Sequence, residues 1–229
     1  MKRGGPTKIG IILIVLIAAI IVVGVLVWLG KSFFGGGGDK STTETVSAGQ
    51  KLLDKPTADT AVRLSVRGPI TAQEAHYSIA LTISQTSRSL TIWRGYGGSV
   101  MTSENLANSS GSFSDLIAAL NRAGLMKKTT KDAGDNHGIC AVGQLIHFEV
   151  LQYVKDDKGQ MVEKSAEKLW TTSCPDLKGN FDGLANNVID LFLNQIPDAR
   201  NRIAAAKNHL DSENRATIGS PWDGLAAFN

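Results

Sequence analysis

The stretch AHYSIALTISQTSRSLTIWR, residues 75–94, contains two runs in which apolar and polar residues alternate. In the first run, Ala75–Ile83, every second residue is apolar or aromatic, and the second run continues the pattern with Leu90 and Ile92. The two runs are separated by the short, polar segment 84–87, which is typical of the turn of a hairpin. Because side chains of a strand point alternately to its two faces, the stretch predicts two antiparallel strands with one buried face.

A third alternating run and an amphipathic helix flank this hairpin. Ala61–Arg67 reads AVRLSVR and predicts a strand that ends before a Gly-Pro pair. Ser112–Leu125 places its apolar residues at helical spacing. We expect Ser112 to cap the start of this helix and Gly124 to end it.

The second half of the chain predicts another hairpin and two further helices. Leu145–Val154 and Ala166–Ser173 are strand-like runs separated by a charged turn that contains glycine. A helix is predicted over Phe181–Gln195, ended by Pro197, and another over Ala199–Leu210. The apolar residues at helical spacing in the first of these helices are Leu184, Val188, Leu191 and Phe192.

The predicted element order is β-β-β-α-β-β-α, which is an α+β fold. Successive strands joined by short turns pair antiparallel, and two amphipathic helices cover only one face of a sheet well. We therefore expect an antiparallel sheet of about five strands with helices packed on one face. This domain is assigned to residues 60–211, and residues 212–229 are assigned to a C-terminal tail.

The N-terminal region predicts a membrane anchor. Residues 9–29 contain no charge, and a helix of 21 residues spans roughly 30 Å, the thickness of the hydrocarbon core of a bilayer. A cleaved signal peptide has a shorter apolar region, so an uncleaved transmembrane helix is the preferred interpretation. Basic residues in 1–8 predict a cytoplasmic N-terminus and a single pass through the plasma membrane, with the C-terminal domain outside. Residues 30–59 are rich in glycine and predict a flexible linker, within which 49–59 favours a short helix.

Charge is distributed unevenly along the chain. Residues 1–40 carry a net charge of +4 and the remaining residues a net charge of −1. Nucleic-acid binding requires clustered basic residues, so no nucleic-acid partner is expected. The expected partners are the lipid bilayer, through residues 9–29, and a protein or another component of the cell envelope.

Cys140 and Cys174 are the only two cysteines of the chain. In an oxidising compartment such a pair predicts a disulfide, here joining the start of the second hairpin to its end. If the hairpin forms, Cα atoms about 5.5–6 Å apart are within reach. The alternative is a catalytic thiol, because His137 lies three residues before Cys140, but no nucleophile signature surrounds it. Two cysteines with scattered histidines do not match the spacing of a metal site.

Two further groups of residues are candidates for function. The pairs Glu74–His76 and His147–Glu149 share a strand face in the predicted pattern, and each is either an acid–base pair or an exposed surface pair. The segment Arg94–Asn108 is glycine-rich around Tyr96. We interpret Arg94 and Tyr96 as a candidate contact loop, with a strand edge folded against the sheet as the alternative. No motif for a catalytic nucleophile, a cofactor or a metal occurs in the sequence, so no cofactor is expected.

Five segments resemble those of uncharacterised, single-pass surface proteins of Saccharibacteria. They are VRGPITAQE at 66–74, SRSLTIWRGYGG at 87–98, the turn 138–141, LWTTSCPDLKGNF at 169–181 and LFLNQIPD at 191–198. The resemblance covers about residues 60–200. It implies a location in the cell envelope and a role that faces a host cell, and it carries no catalytic motif.

Three functions are consistent with these features. The first is a membrane-tethered extracytoplasmic module of the bacterial envelope that binds a partner or has a structural role. The second is an envelope-associated hydrolase. The third is a pilin-like surface subunit, although the sequence near Gly5-Pro6 lacks the aromatic residue and glutamate expected after a pilin processing site.

Overall fold

A computed structural model describes residues 46–129, 139–175 and 177–218, with side chains of the last helix described as far as residue 213. The predicted transmembrane helix, the Gly-rich part of the linker, His137 and residues 219–229 lie outside the described residues. Within the described part of the chain, no helix is both long and apolar enough to cross a membrane.

The described residues form six strands and four helices. The strands are β1 Thr60–Arg67, β2 Tyr77–Ser84, β3 Ser87–Arg94, β4 Ser99–Ala107, β5 Leu145–Lys155 and β6 Met161–Thr172. The helices are α1 Ala48–Asp54, α2 Ser110–Arg122, α3 Ala185–Leu193 and α4 Ala199–Ile218. The predicted α+β class is confirmed, and the sheet has one strand more than the five expected.

All six strands pair antiparallel in one open sheet, in the order β4-β3-β2-β1-β5-β6. The two hairpins predicted from the sequence are β2–β3 and β5–β6. Strand β1 lies between them and pairs with β2 on one side and β5 on the other. The additional strand is β4, which pairs with β3 at one edge of the sheet and agrees with the alternative interpretation of Arg94–Asn108 as a strand edge.

Helices cover one face of the sheet, as predicted. Alternate residues of β1, β2, β3 and β5 point into the same apolar core as the buried residues of all four helices. From the strands the core receives Val62, Leu64, Ile79, Leu81, Ile83, Leu90, Ile92, Ile146, Phe148 and Val150, and also Leu169 of β6. From the helices it receives Leu53, Phe113, Leu116, Ile117, Leu120, Val188, Phe192, Ala199 and Ala206. The opposite face of the sheet carries the polar residues of these strands, such as Arg63, Ser65 and Ser78, together with the buried Ala61 and Leu151.

Two details of the helices differ from the sequence prediction. Helix α2 begins earlier than expected, because Ser109 rather than Ser112 is its cap: the Ser109 Oγ accepts a hydrogen bond from the Ser112 backbone N–H at 3.1 Å. Gly124 follows the helix with a φ of +80°, a left-handed conformation that favours glycine. Leu184, which was expected on the buried face of a helix, precedes α3 and is 65% exposed.

The ordered domain begins before residue 60 and continues past residue 211. Helix α1 lies within the segment assigned to the linker, and its Leu53 is buried in the core. The Ser47 side chain caps this helix by accepting a hydrogen bond from the Gln50 backbone N–H. Helix α4 runs to Ile218, into the segment assigned to the tail.

Candidate functional site

We call the face of the sheet opposite the four described helices the uncovered face, because no described helix packs on it, and it contains a groove of about 510 Å³. Its floor is low because the central positions hold the small side chains of Ser65, Ser78 and Ala80. Larger side chains, among them Trp93 and His147, rise on either side. Because every one of these residues lies on a paired strand, their spacing is set by the sheet rather than by a loop.

One end of the groove, which we call the paired end, holds Arg63, Thr82, Glu149 and Lys168. Arg63 Nε donates to Thr82 Oγ1 at 3.0 Å, and the guanidinium makes a bidentate ion pair with Glu163 at the rim. Lys168 Nζ lies 3.6 Å from Glu149 Oε1. Burial opposes the charge of Arg63, but the hydrogen bond to Glu163 and the nearby carboxylates raise its pKa above the ordinary value. The charges at this end therefore neutralise one another.

The other end, which we call the unpaired end, holds Ser65, Arg67, Ser78, Thr91 and Trp93. Arg67 lies opposite Ser78, and Ser78 lies opposite Trp93, so these three form a row across β1, β2 and β3. Within the part of the chain that the structure describes, none of the five side chains makes a hydrogen bond or an ion pair with the protein. None of their polar atoms is among the buried ones without a partner, so all can reach solvent or a ligand. The unpaired end thus presents three hydroxyls, an indole N–H and a guanidinium.

His147 lies between the two ends, opposite Ser65 on the neighbouring strand. Only 6% of its surface is exposed. Burial lowers the pKa of His147 to about 4, and the positive charges of Lys168 and Arg67 act in the same direction. The imidazole is therefore neutral at pH 7, and the unpaired end keeps the single positive charge of Arg67.

Tyr96 lies beside the groove in the tight turn between β3 and β4. Its ring stacks on His76 with the centroids 3.9 Å apart and the planes 11° apart. The hydroxyl donates to the Thr71 carbonyl at 2.9 Å and accepts from the Thr71 N–H at 3.1 Å. Despite these contacts 55% of Tyr96 is exposed. A second cavity of about 340 Å³ lies next to Tyr96 and shares Arg67 and Ser78 with the groove.

Arg94, the other residue of the candidate contact loop, is held by contacts within the domain. Its Nη1 lies 2.6 Å from Glu213 Oε2 of α4, and its Nε donates to the Glu74 carbonyl at 3.1 Å. The loop itself is only the turn 95–98, with Gly95 and Gly98 at positive φ, because most of Arg94–Asn108 is strand β4. Of the two candidate contact residues, Tyr96 is the one that remains available to a partner.

Cys140 and Cys174 form a disulfide, as predicted, with their Cα atoms 5.8 Å apart. Cys140 precedes β5 and Cys174 follows β6, so the bond joins the two open ends of the hairpin. The sulfurs fit only because residue 143 is glycine: a Cβ there would lie 2.5 Å from Cys140 Sγ and 3.0 Å from Cys174 Sγ. Cys140 also lines the second cavity, so the disulfide supports the wall beside Tyr96.

The two acid–base pairs considered from the sequence have different outcomes. His147 and Glu149 do share the uncovered face of β5 and line the groove. Glu74 and His76 precede β2 instead of lying within it, and His76 Nδ1 is 3.1 Å from the Pro69 carbonyl oxygen. The pairs therefore do not form one site.

The residues of the unpaired end were not singled out from the sequence. The signal that was present is the alternation itself, because Ser65 and Arg67 fall on the polar phase of β1 and Ser78 on that of β2. Alternation assigns these residues to a face but leaves the register between strands open, and only the register brings Arg67 into line with Trp93.

Among the residues that the structure describes, no group of three or more His, Cys, Asp or Glu side chains is arranged to hold a metal ion. No protein-family model matches the chain, and no curated protein matches it.

Proposed function

We propose that this protein is a membrane-tethered, extracytoplasmic binding module of the bacterial cell envelope, and that the uncovered face of its sheet is the binding surface. The observation that carries the proposal is the unpaired end of the groove. Five polar or aromatic side chains on three adjacent strands converge there without partners in the described chain. Convergent polar groups in a concave site on rigid elements are typical of ligand binding.

The tether rests on sequence features. The uncharged run 9–29, the basic residues before it and the glycine-rich segment after it favour an anchor with an external domain. The resemblance to surface proteins of Saccharibacteria favours the same location. The disulfide agrees with an oxidising compartment, where such bonds persist.

Binding is favoured over hydrolysis by the state of Glu149. Its carboxylate oxygens lie 3.6 Å from Lys168 and 3.9 Å from Arg63, so ion pairs occupy the oxygens that a general base would use. His147 is neutral, but a general base must accept a proton, and the positive charges of Lys168 and Arg67 oppose the protonation of His147. The groove therefore fits a ligand better than it supports proton transfer.

Site-specific crosslinking in cells that express the full-length chain tests this function. A photo-crosslinking residue replaces Thr91 on the uncovered face, and Arg122 on the exposed side of α2 serves as the matched control position. We expect the protein in the membrane fraction and adducts at Thr91 but not at Arg122. Adducts confined to Arg122, or absent from both positions, contradict a binding role for this face, and recovery of the chain in the soluble fraction contradicts the tether.

A further inference from the structure

We propose that the unpaired end of the groove binds a carboxylated sugar, that is, a pyranose ring that bears a carboxylate. This inference names the ligand class of the proposed binding module and rests on that function. It depends on three properties of the unpaired end: its charge, the geometry of the row Arg67–Ser78–Trp93, and the kind of polar groups that it presents.

The charge of the unpaired end favours an anion. Arg67 has no acidic partner among the described residues, whereas Arg63 and Lys168 are neutralised by Glu163 and Glu149 at the paired end. A guanidinium binds a carboxylate through two parallel hydrogen bonds, a fixed geometry that a point charge does not provide. The ligand therefore carries one carboxylate for Arg67.

The geometry places an apolar surface at one fixed distance from this cation. Ser78 lies opposite both Arg67 and Trp93, and neighbouring strands are about 4.8 Å apart, so the Cα atoms of Arg67 and Trp93 are about 10 Å apart. Both side chains line the groove, on the strands to either side of the small Ser78. The space between them suits one ring whose C–H face lies against the indole while its exocyclic carboxylate meets the guanidinium.

The remaining polar groups suit a polyhydroxylated ring. Ser65, Ser78 and Thr91 offer hydroxyls that both donate and accept, and the Trp93 indole offers a donor. Sugar hydroxyls also donate and accept, so they can pair with these three hydroxyls. A nucleic acid would need several cations along its backbone, and an added peptide strand would use the edge of a sheet and not its face.

Ligand-observed NMR on the full-length chain in detergent micelles tests the proposal. The probes are methyl glucuronide, methyl glucoside, which replaces the carboxylate by a hydroxymethyl group, and sodium acetate. We expect the glucuronide to bind at least about tenfold more tightly than the glucoside, because a hydrogen bond to a charged group supplies that difference. It should also bind at least about tenfold more tightly than acetate, because acetate lacks the ring that contacts Trp93 and the hydroxyls that pair with the serines and Thr91.

Variants assign the binding to the unpaired end. Arg67→Gln should weaken glucuronide binding by about tenfold or more and leave the glucoside unchanged. Trp93→Ala should weaken both sugars, and Trp93→Phe should retain part of the binding because it keeps an aromatic face. The matched control Arg122→Gln removes a cation from α2, on the covered side of the sheet, and should change nothing.

Three results would overturn the proposal: equal binding of glucuronide and glucoside, equal binding of glucuronide and acetate, or an Arg67→Gln variant with unchanged affinity for glucuronide. If one of these results is obtained but adducts still form at Thr91, only the sugar ligand is rejected and the binding module is retained. If glucuronide does not bind and no adduct forms at Thr91, the binding module is rejected as well.

Discussion

Among single residues, His147 couples folding to pH, because its imidazole is buried beside two cations. In the unfolded chain its pKa is near the ordinary value of 6.5, whereas in the folded domain it is about 4. Between these two values the unfolded state binds a proton that the folded state does not bind. The contribution of neutral His147 to stability is therefore complete above pH 6.5 and is lost as the pH falls towards 4.

The His147→Gln variant measures this coupling. The wild type should lose about 1–2 kcal/mol of unfolding free energy through His147 between about pH 7.5 and pH 4.5, once solvent screening near the groove mouth is allowed for. The variant should show a pH dependence smaller by that amount in urea unfolding. His209→Gln, at an exposed histidine of α4, is the control and should retain the wild-type dependence. An unchanged pH dependence in His147→Gln would show that this imidazole is not held neutral by the fold.

Single residues also decide how the groove is divided. Arg63 and Arg67 are four positions apart on the same face of β1, yet Arg63 is paired with Glu163 and Arg67 has no partner in the described chain. Their sequence environments are nearly alike, since each follows a valine within one alternating run. The difference comes from the neighbouring strands, because β6 places Glu163 within reach of Arg63 only.

At the scale of elements, the disulfide closes the hairpin of β5 and β6. It joins positions 34 residues apart in the chain, so it restricts a long loop of the unfolded state. Cys174→Ser should lower the free energy of unfolding by about 3–4 kcal/mol and the melting temperature by about 10 °C. Calorimetry without reductant measures the loss.

A double variant separates the bond from the individual side chains. The free energy of unfolding of the double variant Cys140→Ser, Cys174→Ser should lie within a few tenths of a kcal/mol of that of the single variant Cys174→Ser, because the bond is already lost in the single variant. In denaturant, maleimide should label no thiol of the untreated wild type and one thiol of Cys174→Ser. Two reactive thiols in the wild type purified without reductant would contradict the disulfide.

Elements also show where sequence patterns are insufficient. Strand β4 reads SVMTSENLA and lacks a clear apolar phase, because as an edge strand it has little surface to bury on either side. Alternation therefore did not identify it, although a strand edge was the alternative interpretation of the segment Arg94–Asn108. Leu184 shows the converse case, because a leucine at helical spacing precedes the helix and is exposed.

At the scale of the whole molecule, the prediction concerns topology. If residues 9–29 span the membrane with the N-terminus inside, a protease added to intact cells should remove the domain and leave a small fragment that contains residues 1–30. An antibody against an N-terminal epitope detects this fragment, and lysed cells treated with the same protease serve as the control. Full protection of the domain in intact cells would contradict the predicted orientation.

The sequence by itself determined the features that depend on residues close together in the chain. Alternation in 61–67 and 75–94 assigned residues of three strands to their faces, the spacing in Phe113–Leu120 identified α2, and the presence of two cysteines indicated one disulfide. These features are local because they follow from the repeat of a strand or helix, or from the chemistry of a single pair. The α+β class followed from the order of such elements.

Only the tertiary structure decided the features that depend on distant residues. It inserted β1 between β2 and β5, buried Leu53 of α1 in the core, and aligned Arg67 with Ser78 and Trp93. The physical reason is that strand order and register are fixed by the packing of the whole core, and a shift of register moves side chains that no local pattern relates to one another. The groove is made of such relations, so it exists only in the folded domain.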